Sequence, residues 1–197
     1  MGCDEARRSF HRRIGACLLF LLLNASLMPA IAGGIETLRA EIQPGEEQLL
    51  LAAEFRIELG ARLEEAVTRG VPLNFTLEYE LTRPRWYWTP EVLASGTLSY
   101  RLSFSALTRQ YRVSIGSLHR SFTTLAEALQ VIARVAALPV AERIAFKPGE
   151  TYAAAVRLTL DRSQLPKPFQ VDALANRDWH AESKVHRWQF ALPEGRP

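Results

Sequence analysis

Apolar and polar positions alternate along most of the chain. Leu49, Leu51, Ala53, Phe55, Ile57 and Leu59 fall on one side of an extended segment, with Glu54, Arg56 and Glu58 on the other. Leu73, Phe75, Leu77, Tyr79 and Leu81 alternate with Asn74, Thr76, Glu78, Glu80 and Thr82. Leu98, Tyr100, Leu102 and Phe104 alternate with Thr97, Ser99, Arg101 and Ser103. Successive side chains of a strand point to opposite faces, so a period of two marks strands with one buried face. Tyr111, Val113 and Ile115 continue the pattern after a short connection at 105–108, which predicts an antiparallel hairpin. Tyr152, Ala154, Val156, Leu158 and Leu160 predict another strand, and weaker ones cover about 35–42 and 183–191.

Two stretches change to the helical period. Residues 61–69 place Leu63, Ala66 and Val67 on one side, and Gly70 stops them. Thr124-Leu125-Ala126-Glu127 is a capping box, in which hydroxyl and carboxylate satisfy free backbone N–H groups reciprocally. The helix it starts carries Leu125, Ala128, Leu129, Ile132 and Ala136 on one stripe. It is expected to cover 124–137, ending before Pro139, and to pack on a sheet. In Gln164-Leu165-Pro166-Lys167-Pro168-Phe169-Gln170-Val171 the paired prolines force an extended path, read as a rigid crossover in preference to an exposed strand-like edge. The expected fold class is α+β: an antiparallel, sandwich-like sheet domain with two short helices.

The first 32 residues depart from this pattern. Arg7, Arg8, Arg12 and Arg13 precede an apolar run from Ile14 to Leu23, and Pro29 then breaks the segment. Ala30-Ile31-Ala32 before Gly33 is a small-residue cleavage pattern, so residues 1–32 read as a secretory signal peptide. Cys17 lies within the apolar run rather than after it, which argues against a lipoprotein. Arg7-Arg8 resembles a twin-arginine signal, but the leucine-rich run favours ordinary export. The expected product is a single periplasmic domain, residues 33–197, without a transmembrane segment. It retains neither Cys3 nor Cys17, so no disulfide, thiolate metal site or thiol nucleophile is expected. Basic residues fall from 24 to 20 and acidic ones from 21 to 19, leaving a net charge of +1. That balance gives no reason to expect a nucleic-acid partner.

Candidate chemistry is sparse. There is no nucleophile elbow, zinc-protease helix, phosphate-cradling glycine loop or dinucleotide fingerprint, and no cofactor is expected. The remaining histidines are His119, His180 and His186. Asp178, His180 and Glu182 would share a strand face, which leaves an acid–base or metal site conceivable beside a solvated, structural reading. The more informative cluster is Arg83, Arg85, Trp86, Tyr87 and Trp88, which ends a strong strand. Two readings stay open. The tryptophans plug the edge of the core, an outcome expected of Trp88 more than of Arg85, or the group is an aromatic shelf with cationic clamps. Such a shelf would suit a glycan, an anionic lipid headgroup or an extended peptide.

Leu81–Trp88, Tyr100–Ser103, Ala106–Arg112 and Leu165–Val171 together resemble an exported bacterial family, domain of unknown function 4390, over nearly all of the mature chain. The resemblance implies an envelope setting and a membrane partner such as a sensor kinase, and supplies no catalytic residue. A periplasmic binding or adaptor module is therefore the expected function, with an envelope hydrolase and a structural component as the alternatives.

Overall fold

The computed structural model describes residues 33–193. Within them nine strands form two antiparallel sheets. The smaller contains β1 (Gly34–Pro44), β2 (Gln48–Glu58) and β7 (Arg134–Glu142), in that order. The larger has six strands in the order β6-β5-β4-β3-β8-β9. These are β3 (Leu73–Arg83), β4 (Glu91–Ser105), β5 (Gln110–Ile115), β6 (Leu118–Phe122), β8 (Thr151–Leu160) and β9 (His186–Ala191). The α+β, mostly β class expected from periodicity holds.

The alternation explains the layering. Leu73, Phe75, Leu77 and Leu81 of β3 are buried, as are Leu158, Val156 and Ala154 of β8 and Tyr100 and Leu102 of β4. Register places them side by side: Phe75 faces Tyr100 on one flank and Leu160 on the other, and Leu77 faces Leu98 and Leu158. Leu49, Leu51, Ala53 and Phe55 of β2 join the same buried cluster. The opposite face of the large sheet presents Glu78 and Glu80 of β3 and Thr97, Ser99 and Arg101 of β4 to solvent.

Among the described residues there are three α-helices, one more than expected. α1 (Ala61–Thr68) buries Leu63, Ala66 and Val67, and Gly70 follows it at a φ of 90°. That left-handed turn is what a residue without Cβ makes readily. α2 (Leu125–Ala133) begins with both arms of the capping box formed. Ala128 and Ile132 are buried, with Leu125 and Leu129 packed partly against them.

Two expectations need correction here. α2 stops at Ala133, not 137, and the chain passes directly into β7, which includes Pro139. Val135-Ala136-Ala137-Leu138 suits either period, and β7 is an edge strand, where a residue without an N–H is tolerated. The paired prolines start a helix rather than a crossover: α3 (Lys167–Ala175) has Pro166 at its N-cap and Pro168 in its first turn. There the missing N–H would have had no intrahelical partner. β6 was also unforeseen, because its residues are almost all exposed and show no apolar alternation.

α3 is tied down through Asp172, which accepts hydrogen bonds from Trp179 Nε1 at 2.8 Å and from Arg62 of α1 at 2.8 Å. Trp179 is buried, and Phe169 packs against it with ring centroids 5.5 Å apart. The chain then returns along β8. Ala181 accepts from the Leu160 N–H, and Ser183 donates to the Leu158 carbonyl.

Candidate aromatic contact site

β3 ends at Arg83 and β4 begins at Glu91, and these two residues are the last pair of the ladder. Pro84 has no N–H to offer a neighbouring strand, so pairing stops there. Every residue from Pro84 to Pro90 is exposed. Trp86, Tyr87 and Trp88 are 93%, 67% and 70% exposed, with the Trp86 and Tyr87 rings edge to face at 4.8 Å. The expectation that Trp86 and Trp88 plug the core, and Trp88 in particular, is thus corrected. The core below is already closed. Tyr152 packs against Phe146 at 4.8 Å and Phe190 at 5.7 Å, and the Arg83 guanidinium lies 5.7 Å above the Tyr152 ring.

The arginines are not free clamps, although Arg85 is exposed. Arg83 Nη1 and Arg85 Nη2 both donate to Glu91 Oε2, at 3.2 and 2.6 Å. Arg83 Nε also lies 3.4 Å from Glu150. The hydrogen bond from Arg85, helped by Arg83, holds the Glu91 carboxyl below the usual carboxylate range. The Tyr152 hydroxyl, then Glu150 and Glu91, hold Arg83 protonated even more firmly than usual. That hydroxyl donates to Glu150 at 2.9 Å and accepts from the Lys147 N–H at 2.7 Å. The arrangement is a projecting aromatic loop on an ion-paired base. It can stack or wedge against a partner, but its positive charge is largely compensated.

The chain matches the family model described as "Domain of unknown function (DUF4390)" over residues 32–189. It belongs to the DUF4390 family. No curated protein and no solved structure matches it.

Elsewhere in this DUF4390 domain, Asp178, His180 and Glu182 do not share a strand face. Asp178 lies in a 3-10 turn, Arg177–Trp179, 3.8 Å from Arg62. His180 is hydrogen-bonded to Arg162, and Glu182 forms an isolated bridge with Thr159. His119 is exposed on β6, and His186 stacks near Trp188 at 5.5 Å. Among the described residues no three His, Cys, Asp or Glu gather as a metal group.

Sequence reasoning missed a cleft of about 610 Å³ between the solvent face of the large sheet and α3. Thr76, Glu78, Arg157, Thr159, Gln170 and Glu182 contribute to its lining. Glu78 and Arg157, cross-strand neighbours on its sheet wall, pair at 3.3 Å. At its rim Asp161 accepts from the Ser163 hydroxyl and Gln164, which lowers its pKa. The residues come from strands about 80 positions apart, so only their pairing reveals the site.

Proposed function

We propose that this chain is an exported binding or adaptor module of the bacterial envelope, acting in the periplasm through its β3–β4 loop. The observation that carries the reading is the outward presentation of Trp86, Tyr87 and Trp88 on a braced hairpin end. Exposing three contiguous aromatic side chains to water is unfavourable, and Trp and Tyr are among the types that dominate contact energy. The strands beneath supply a rigid mount, since β3 is paired along its length on both flanks up to Thr82. The N-terminal leader supplies the compartment. A membrane protein such as a sensor kinase fits the setting as partner, with the aromatic loop as the face it would meet.

The test is a double variant, Trp86→Ser with Trp88→Ser. Wild-type protein should be retained with the envelope, and the variant should be released into the soluble periplasmic fraction at an unchanged melting temperature. Equal retention of both would contradict the reading. A lowered melting temperature would show that the rings support the fold.

A further inference from the structure

The same end of the molecule carries a second apolar projection. Arg143, at the start of the β7–β8 connection, donates to the Gly45 carbonyl at 3.1 Å. Three residues later Phe146 packs on Tyr152, the ring beneath Arg83. Residues 143–150 therefore border the base of the aromatic loop. Between the two anchors stands Ile144, 90% exposed. Lys147, which follows Phe146, is exposed and only loosely paired, 3.7 Å from Glu150.

We infer that this end docks on a phospholipid surface, with the Trp86–Trp88 loop and Ile144 set at headgroup depth. The inference rests on the contact reading above and names its partner as lipid. Three features favour lipid over a protein groove. The projections are exposed and come from two separate connections, so a fluid surface can take both without a shaped receptor. Tryptophan and tyrosine prefer the membrane–water interface, where the ring meets acyl chains and the polar edge stays hydrated. The charges at the base of the aromatic loop neutralise one another, with Arg83 and Arg85 paired to Glu91 and Arg83 also to Glu150, so seating that loop strands neither arginine without a counter-ion. Such docking would depend little on anionic lipid, since Arg83 and Arg85 at the base of the loop already have carboxylate partners.

Vesicles of phosphatidylcholine alone, and of phosphatidylethanolamine with phosphatidylglycerol, test this on the leaderless full domain. Two of the four tryptophans, Trp179 and Trp188, are buried or half-buried, so Trp86 and Trp88 are the reporters. The protein should float with both vesicle types, its emission should shift to the blue, and brominated lipid should quench it. Trp86→Ser and Trp88→Ser should each weaken partitioning roughly tenfold, and Ile144→Ser should weaken it without touching the loop. A folded protein that ignores vesicles overturns the lipid assignment. If that protein is still retained by envelope material through Trp86 and Trp88, the contact reading survives with a protein or glycan partner. If it is not, both fail.

Discussion

Tyr100 shows how closely the buried face of β4 is bound to its neighbours. It faces Phe75 in the ladder and is almost wholly removed from solvent, and burial pushes its hydroxyl up to about 12. An unfolded tyrosine ionises near 10. The folded pKa is the higher, so the contribution is intact below pH 10 and is lost as pH rises through 12. The loss should be about 2–3 kcal/mol. Urea unfolding between pH 9 and 12 should show it, and Tyr100→Phe should flatten that part of the curve. At this scale the sequence was legible for most side chains inside a period, although Asn74, a polar position of the β3 alternation, is buried. Tyr100 belongs to an unbroken alternation and lies where that alternation puts it. Trp86 and Trp88 follow Pro84, which ends the period, so no rule of spacing decided whether they faced in or out. What decided it was Tyr152, Phe146 and Phe190 filling the core beneath, from strands distant in sequence.

The helices divide in the same way. α2 begins where its capping box says, since Thr124 and Glu127 satisfy each other's backbone N–H groups locally. Thr124→Ala should cost about 1 kcal/mol in thermal unfolding. Ile132 is fully buried and Leu129 only partly. Ile132→Ala should therefore cost roughly 2–5 kcal/mol, and Leu129→Ala measurably less. Equal, negligible losses would mean that the stripe does not face the core. The end of α2 was not legible, because Val135 and Leu138 are drawn into β7 by pairing with β2 rather than by local preference. α3 departs from the expected crossover because prolines break a helix interior but suit its start, Pro166 at the N-cap and Pro168 in the first turn. Its place is set by Trp179 and Arg62 converging on Asp172, a contact spanning 110 positions between Arg62 and Asp172.

For the whole molecule, periodicity specified an antiparallel α+β domain but not the division into three and six strands. The sheet order pairs β3 with β8 and β2 with β7, long-range choices made by the shared core. The leader expected over residues 1–32 lies outside the described residues. Intact-mass analysis of periplasmic protein is expected to find a chain starting at or near Gly33, and a full-length species in the membrane fraction would contradict cleavage. β3, with 11 residues, separates the aromatic loop from the α1 and α3 end by about 36 Å. The two ends can therefore be probed independently. The most direct test places a photo-reactive phenylalanine analogue at Tyr87 and, in separate variants, at Leu107, Leu118 and Val171, all exposed apolar positions away from the loop. In intact cells the probe at 87 should cross-link to an envelope component, lipid or protein, and the other three should not. A folded protein silent at 87 but cross-linked from another position would contradict the account.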